Sequence, residues 1–272
     1  MPRFETVRPG FVMRVSGIDL TNPLTEDEFE AVERAFDDHA ILVFPDQDLS
    51  DEAQIAFSER FGPLEPSVRR HRKRNTDNAF LSDLSNVDPE TGGFLADSSE
   101  PMSYNLGNQL WHSDSSFKKV PARASLLAGR EVPPEGGETE FADMRAAWEA
   151  LDDGRKALVS GAVAMHSLAY SRSLMGYDAG REFSGVEKSE VPPVPQPMSY
   201  TQPRTGRCAL YVGSHAFAVE GLSAEDGKKL IEDLIAHATQ PQFIYRHNWR
   251  QHDLVMWDNR ASMHRGRPWD TQ

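Results

Sequence analysis

The chain is poor in cysteine, in long apolar segments and in positive charge. Its single cysteine, Cys208, excludes an internal disulfide framework and favours a reducing, cytoplasmic setting. No apolar segment approaches the roughly 18 residues of a membrane-spanning helix. The first residues, MPRFET, lack the basic and apolar regions that a signal peptide would have. A formal net charge of −13 argues against nucleic acid or an anionic membrane as a partner.

Short β-type segments and a few amphipathic helices recur along the chain. The 272 residues, 39% of them apolar, contain no repeat or low-complexity linker, so we expect one domain over residues 1–272. Helices are predicted after the N-cap residues Thr25, Ser50, Asp143 and Ser223. Strands are predicted at 40–44, 124–128, 161–167, 209–213, 243–247 and 253–257. This pattern predicts a mainly β fold with peripheral helices, organised as a double-sheet jelly roll.

Two long segments show no regular periodicity. Residues 86–107 are rich in Asp, Ser, Gly and Pro, and residues 171–203 carry four prolines between positions 192 and 197. Loops of this length are unusual in a compact domain and tend to be lids or disordered segments. The first segment leads into the motif described next, so we expect it to gate a substrate. For the second, a lid and a plain surface excursion are both open.

A histidine and an aspartate two positions apart form the most informative motif of the chain. In WHSDSS, residues 111–116, His112 and Asp114 project from one face of an extended segment, so both can bind one ion. A second imidazole, His264, follows 150 positions after Asp114. Two histidines and one carboxylate are the facial triad of non-haem Fe(II) oxygenases, which leaves coordination positions open for other ligands.

Other functions are compatible with the same three residues. Catalytic zinc sites also use two histidines and one carboxylate, so a zinc-dependent hydrolase is an alternative. Such a hydrolase needs a general base, and the chain has no His-Glu-x-x-His motif. A catalytically inactive jelly-roll binding protein is a further alternative, against which the intact triad argues. The isolated residues His166 and His215 are interpreted as structural more readily than as metal ligands.

Three segments, in this order, together resemble one family of oxygenases. They are NQLWHSDSSF at 108–117, GGETEFADMRAA at 136–147 and VMWDNR at 255–260. They closely resemble the taurine dioxygenase / 2,4-dichlorophenoxyacetate dioxygenase family of Fe(II)- and 2-oxoglutarate-dependent oxygenases, nearest the 2,4-dichlorophenoxyacetate branch. The resemblance runs from about Gly17 to the end of the chain. It implies a double-stranded β-helix that uses Fe(II), 2-oxoglutarate and O₂.

The resemblance also implies a reaction. The substrate would be an aryloxyalkanoate such as 2,4-dichlorophenoxyacetate, and 2-oxoglutarate would yield succinate and CO₂. Hydroxylation next to the ether oxygen gives a hemiacetal, which collapses to a phenol and glyoxylate. The alternative within this class is the same chemistry on a sulfonate such as taurine or on another small organic anion. We also expect a homo-oligomer.

Matching positions carry the family's roles onto individual residues of this chain. The resemblance implies that His112, Asp114 and His264 bind Fe(II). It implies that the Thr139 hydroxyl hydrogen-bonds a 2-oxoglutarate carboxylate and that Trp257 lies beside the co-substrate pocket. A core tryptophan is an equally good interpretation of Trp257.

One part of the family pattern is missing from residues 1–272. The family has an arginine about eleven residues beyond the distal histidine, and its guanidinium pairs with the far carboxylate of 2-oxoglutarate. That position would be near 275, beyond Gln272. Arg265 and Arg267 lie too close to the iron ligand to be assigned this role. We therefore expect that the arginine and the closing strand of the jelly roll are both absent from these residues.

The residues of the substrate pocket are predicted mainly because their positions match pocket segments of the family. A basic block, RRHRKR at 69–74, interrupts an acidic chain, and a solvated loop is its ordinary meaning. The matching region in phenoxyacetate enzymes implies instead that one of its cations binds a substrate carboxylate. The predicted substrate contacts are Arg69, Arg70, Arg72, Lys73, Asn86, Ser103, Tyr104, Ser171, Arg172 and His215.

Overall fold

The computed structural model describes residues 1–72 and 74–269, so the predicted substrate contact Lys73 lies outside the described residues. The strands are β1 (Arg3–Arg8), β2 (Val12–Ser16), β3 (Ile41–Phe44), β4 (Ala124–Ala128), β5 (Thr139–Asp143), β6 (Val163–His166), β7 (Val194–Pro197), β8 (Ser199–Thr201), β9 (Cys208–Leu210), β10 (Ala216–Val219), β11 (Ile244–His247), β12 (Leu254–Asp258) and β13 (Ser262–Gly266). The α-helices are α1 (Glu26–His39), α2 (Asp51–Glu59), α3 (Glu100–Asn105), α4 (Met144–Glu149), α5 (Asp153–Val159), α6 (Leu168–Ser173), α7 (Ala179–Glu182), α8 (Gly185–Glu190) and α9 (Ala224–Ala238).

Local hydrogen bonds explain where the predicted helices begin. The side chains of Thr25, Ser50, Asp143 and Ser223 each accept a backbone N–H at the start of α1, α2, α4 and α9. Thr25 and Glu28 form a complete capping box, and Ala40 ends α1 in a left-handed conformation with φ of 64°. The four predicted N-caps are therefore confirmed. The strands β3, β4, β6, β9, β11 and β12 overlap the six predicted strands, although β9 ends at Leu210 where the prediction extended to 213.

Two of the four sheets among the described residues face each other across a shared apolar core, and the other two have the strand orders β10-β6-β7 and β8-β9. The larger sheet has the strand order β1-β2-β3-β12-β4, and the smaller one has the order β11-β5-β13. Ile41, Val255 and Trp257 of the larger sheet pack with Phe141 and Tyr245 of the smaller one. Side chains alternate between the two faces of a strand, so the neighbouring residues of β3 and β12 point to the opposite side.

Helices cover the outer faces of both sheets. Phe36 of α1 and Phe57 of α2 pack with Met256 on the larger sheet. Leu234 of α9 shares a second buried cluster with Met263 of β13. Each such burial stabilises the fold by roughly 1.5–3 kcal/mol. The prediction of a sheet-rich fold with peripheral helices is confirmed.

The two segments predicted to be irregular contain short regular elements, so that prediction was wrong in part. Residues 86–107 include α3, and residues 171–203 include α7, α8, β7 and β8. α7 and α8 begin at short-range caps, the side chain of Asp178 and the capping box of Ser184 and Glu187. β7 lies at the edge of its sheet, where proline is tolerated because one side of the strand needs no ladder hydrogen bond. Among the described helices, none has the length and apolar character to cross a membrane.

Candidate metal centre

Backbone pairing brings the two histidines of the motif together. The His112 N–H donates to the His264 carbonyl at 3.0 Å, and the His264 N–H donates to the His112 carbonyl at 2.8 Å. His264 lies in β13, where it pairs with Phe141 of β5. Because the two histidines are direct cross-strand neighbours, their side chains lie side by side, with ring centroids 4.2 Å apart.

Three donor atoms converge at this point. One ligand atom from each of His112, Asp114 and His264 lies within 4.8 Å of the others. The Nε2 atom of His112 is 3.5 Å from Asp114 Oδ1, and the Nε2 atom of His264 is 3.6 Å from Asp114 Oδ2. The Asp114 side chain remains 34% exposed, so the donor set is open on one side. The sequence pattern therefore corresponds to one compact cluster in the fold.

Each imidazole has a feature that suits a metal ligand. Nδ1 of His112 lies 2.7 Å from the Leu110 carbonyl oxygen, which can only accept, so Nδ1 carries the proton and Nε2 is the free donor atom. This is the outer hydrogen bond that metal-binding histidines usually make. Burial lowers the pKa of His264 to about 3, so this ring is neutral at pH 7.

The carboxylate is oriented by a short chain of hydrogen bonds. The Ser125 hydroxyl donates to Asp114 Oδ2 at 2.7 Å, and the Asn259 side-chain amide donates to the Ser125 oxygen at 2.9 Å. Burial alone would raise the pKa of Asp114, but His264, His112 and the Ser125 hydroxyl lower it below its ordinary value. Asp114 therefore stays ionised. Neither Ser125 nor Asn259 was predicted as a site residue, although Asn259 lies inside the VMWDNR segment.

Thr139 lies on β5 between the two other strands of the smaller sheet. It pairs with His247 on one side and Gly266 on the other. Its Oγ1 atom accepts a hydrogen bond from the Trp249 indole at 3.0 Å. An indole N–H is a donor only, so the Thr139 hydroxyl keeps its own proton free for an acceptor. Trp249 is a contact that the sequence analysis missed.

Trp257 is a core residue that also lies beside the metal-binding cluster. It is buried in the core between the sheets, and its ring centroid lies 4.8 Å from that of His264. Its indole Nε1 is buried and has no hydrogen-bond partner among the described residues. An unsatisfied buried donor costs free energy, so an acceptor supplied by a bound molecule would stabilise this arrangement.

Two arginines near His264 are already occupied by carboxylates. Arg260 contacts both carboxylate oxygens of Asp258, at 3.0 and 2.9 Å. Arg265 donates to Glu140 at 2.8 Å. Position 275, where the family pattern places a co-substrate arginine, lies outside the described residues.

The basic block is held in ion pairs with helices of the outer layer. Arg69 pairs with Glu100 of α3. Arg70 donates to Glu190 of α8 at 2.8 Å, and Arg72 contacts Glu187 of the same helix at 2.7 and 2.8 Å. The expected solvated loop is therefore wrong, because carboxylates distant in sequence draw these arginines into partly buried contacts. Their guanidinium groups clamp the segment to α3 and α8.

Four of the predicted substrate residues form a second cluster beside His112. Nδ1 of His215 lies 2.7 Å from the Ser171 hydroxyl, and the His215 ring centroid lies 5.8 Å from that of His112. The Arg172 guanidinium lies 4.3 Å from the centre of the Tyr104 ring. Burial lowers the pKa of His215 well below its ordinary value, so it is neutral.

The remaining predicted residues lie elsewhere. Asn86 accepts a backbone hydrogen bond from Leu95 in the loop before α3, and Ser103 lies within α3. His166 is buried, with Nδ1 lying 3.1 Å from the Ser116 hydroxyl, as expected of a structural histidine. Nothing in these contacts joins Asn86 or Ser103 to the metal-binding cluster.

Comparison with known proteins identifies the relatives of this chain. A 2,4-dichlorophenoxyacetate dioxygenase dependent on α-ketoglutarate, from Cupriavidus pinatubonensis, is 42% identical over 266 residues, covering 97% of this chain and 91% of the relative. An (S)-phenoxypropionate/α-ketoglutarate dioxygenase from Sphingobium herbicidovorans is 39% identical, covering 94% and 86%. The crystal structure of AAD-2 with Mn(II) and N-oxalylglycine superposes with a TM-score of 0.92 at 46% identity, covering 99% and 93%.

These relatives confirm the resemblance stated from sequence, including its branch. They also confirm a 2-oxoglutarate-dependent dioxygenase with Fe(II), 2-oxoglutarate and O₂ as its cofactor and co-substrates. Residues 4–272 match the model of the family described as taurine catabolism dioxygenase TauD, TfdA. The chain belongs to this dioxygenase family.

Proposed function

We propose that this enzyme hydroxylates an aryloxyalkanoate such as 2,4-dichlorophenoxyacetate, with His112, Asp114 and His264 as its iron ligands. The observation that carries the proposal is the convergence of these three donors in a chain 42% identical to a 2,4-dichlorophenoxyacetate dioxygenase. The products would be a phenol, glyoxylate, succinate and CO₂.

The donor set fits an Fe(II) ion. Metal–nitrogen and metal–oxygen bonds measure roughly 2.0–2.2 Å in comparable sites. The Nε2 atoms of His112 and His264 lie 3.5 and 3.6 Å from the Asp114 oxygens, so one ion could be bound by these residues together. Two neutral imidazoles and one carboxylate are the ligand types of the facial triad. The open side of Asp114 leaves room for further ligands.

Fe(II) held by His112, Asp114 and His264 would, with 2-oxoglutarate and O₂, supply the oxidant for hydroxylation of a C–H bond, and 2-oxoglutarate would become succinate and CO₂. The residues of the chain hold the participants in place. Ser125 and Asn259 orient Asp114. The Thr139 oxygen accepts a hydrogen bond from the Trp249 indole, and its hydroxyl would donate a hydrogen bond to a 2-oxoglutarate carboxylate. The unpartnered Trp257 indole would donate to an oxygen of the same molecule.

The collapse of the product needs no further catalyst. Hydroxylation of the carbon between the ether oxygen and the carboxylate produces a hemiacetal. The hemiacetal loses the aryloxy group as a phenol, and the remaining two carbons leave as glyoxylate. The protein therefore has to position one C–H bond and exclude competing reactions.

We infer that the two facing sheets belong to a double-stranded β-helix within a single dioxygenase domain. The facing of the two sheets and the position of the donors between β13 and the residues preceding β4 support this inference. A homo-oligomer and a cytoplasmic location stay predictions.

The test of the proposed function is a comparison of substrates with purified protein. Succinate release should require both added Fe(II) and 2-oxoglutarate. Phenoxyacetates should release phenol, whereas taurine should stimulate little succinate formation. Preferred turnover of taurine would move the assignment to a sulfonate, and turnover that requires zinc without 2-oxoglutarate would contradict the dioxygenase assignment.

A further inference from the structure

Arg172 is a buried positive charge that has no carboxylate partner in the part of the chain that the structure describes. The residue is 6% exposed, and Nη2 donates to Asn108 Oδ1 at 3.1 Å. Its Nε atom is buried without a partner. Within residues 1–72 and 74–269, Arg172 forms no ion pair, although several arginines of the neighbouring basic block do. A guanidinium has five N–H donors, and Nε of Arg172 is a buried donor that still lacks an acceptor.

An isolated buried charge is costly. Transfer of a charge out of water is offset only by a counter-charge and by hydrogen bonds to the remaining donors. A single neutral amide oxygen from Asn108 does not provide the counter-charge. The electrostatics of this position therefore favour an anion that is not part of the described protein.

Gly107 makes room for the guanidinium. A Cβ atom added to Gly107 would lie 1.7 Å from Arg172 Nη1 and 2.7 Å from Arg172 Cδ. The backbone of Gly107 is not left-handed, so its missing side chain serves the close approach of Arg172 rather than a turn. On another side the guanidinium lies over the Tyr104 ring, 4.3 Å from its centre. Arg172 is therefore held in one position.

This position is linked directly to the metal-binding cluster. Ser171, the residue before Arg172, contacts the His215 ring at 2.7 Å. The His215 ring packs edge-to-face against His112 at 5.8 Å and against Phe117 at 4.9 Å. Arg172 therefore lies next in sequence to a residue that contacts His215, and the aromatic rings of Tyr104 and Phe117 lie in the same part of the fold as His112.

We propose that Arg172 binds the carboxylate of the prime substrate and selects aryloxyalkanoate anions over neutral aryl ethers, with Gly107 and Asn108 holding its guanidinium in place. This inference rests on the proposed function. Arg69, Arg70 and Arg72 of the basic block differ from Arg172, because each of them is paired with a glutamate.

The first test uses Arg172→Met and Arg172→Lys with phenoxyacetate and with its uncharged amide. Loss of a charge-assisted contact should raise the KM for phenoxyacetate by about tenfold to a hundredfold in Arg172→Met. Arg172→Lys should recover part of that loss because it keeps the charge. The KM for 2-oxoglutarate and the turnover of the amide should stay unchanged. Arg155→Met, at an exposed arginine of α5, is the matched control and should resemble the wild type.

A binding measurement separates recognition from turnover. Phenoxyacetate should raise the Tm of wild-type protein loaded with Mn(II) and N-oxalylglycine, and this increase should be lost in Arg172→Met. Gly107→Ala, which displaces the guanidinium without removing it, should reduce the same increase. Retention of the full increase in Arg172→Met would overturn the proposal.

Two other outcomes would also overturn it, and they are distinguishable. An increased KM for 2-oxoglutarate with an unchanged KM for phenoxyacetate would assign Arg172 to the co-substrate. A wild-type protein that decarboxylates 2-oxoglutarate but neither binds nor hydroxylates phenoxyacetates would refute the proposed substrate class itself, and with it the role of Arg172.

Discussion

The basic block and Arg172 carry the same charge in adjacent parts of the outer layer, but their surroundings differ. Arg70 and Arg72 face glutamates of α8, so their charges are neutralised within the protein. Arg172 faces a tyrosine ring, an amide and a glycine. A cluster of positive charge in a sequence therefore does not locate an anion site. We propose Arg172 as the anion site because, unlike these arginines, it has no carboxylate partner within residues 1–72 and 74–269.

Substitution of a metal ligand should reduce turnover more than any other substitution, and this holds whichever arginine binds the substrate. His112→Ala, Asp114→Ala and His264→Ala should each abolish turnover, because two ligands do not hold Fe(II) in the facial geometry. Mn(II) titration followed by electron paramagnetic resonance should show lost binding. Normal iron-dependent turnover in any of the three would contradict the assignment of that ligand.

The clamp formed by the basic block should affect stability rather than substrate recognition. Arg72→Met leaves Glu187 buried and without its main counter-charge, so we expect a loss of about 3 kcal/mol in the free energy of unfolding. The KM of the folded fraction for phenoxyacetate should stay at the wild-type value. Urea unfolding and steady-state kinetics measure the two quantities separately.

Arg155→Met again provides the control, because Arg155 makes only an exposed pair with Asp152 and should change stability by less than about 1 kcal/mol. An Arg72→Met protein with normal stability and a raised KM would reverse the roles of the two regions.

Ser125 should tune metal affinity without contributing a ligand. Ser125→Ala removes the hydrogen bond to Asp114 Oδ2, and loss of such an outer contact usually weakens metal binding by about tenfold to a hundredfold. Ser125→Thr keeps a hydroxyl and should recover most of the affinity. Calorimetric titration with Mn(II) gives the affinity directly, and equal affinities for wild type and Ser125→Ala would exclude the orienting role.

The ion pairs of the basic block should also make the stability of the fold depend modestly on pH. Burial would raise the pKa of Glu187, but hydrogen bonds from Arg72 and Ser184 lower it from 4.5 to about 2. A lowered carboxyl pKa stabilises the fold above pH 4.5 and loses that contribution as the pH falls towards 2. One pH unit below 4.5, the loss should be about 1 kcal/mol.

Glu187→Gln removes this titration and is the appropriate comparison. Between pH 7 and pH 3.5, the Tm of the metal-free wild type should fall further than that of Glu187→Gln. Parallel curves for the two proteins would show that the pair does not stabilise the fold through ionised Glu187.

Local patterns predicted the parts of the molecule that depend on neighbours in sequence. The capping box of Thr25 predicted α1, and the spacing of His112 and Asp114 predicted the metal cluster. The assignment of His264 as the third ligand depended on the family resemblance. Each of these signals is carried by residues within a few positions or by a family motif.

Contacts between distant positions left no such signal. Arg72 and Glu187 are 115 residues apart, Ser125 and Asn259 are 134 apart, and Trp249 lies 110 residues from Thr139. No periodicity in the sequence relates such pairs. The basic block could therefore be recognised from the sequence, but the glutamates that pair with it could not. Arg172 was among ten predicted substrate residues, but only its surroundings distinguish it from the others.

The most direct test of the comparison is the ratio of phenol to succinate released from phenoxyacetate by wild type, Arg172→Met and Arg72→Met. With 2-oxoglutarate saturating and phenoxyacetate limiting, the wild type should release the two products in nearly equal amounts. Arg172→Met should continue to form succinate while its phenol falls well below it, and folded Arg72→Met should keep the wild-type ratio. A lowered ratio in Arg72→Met together with a wild-type ratio in Arg172→Met would contradict the account.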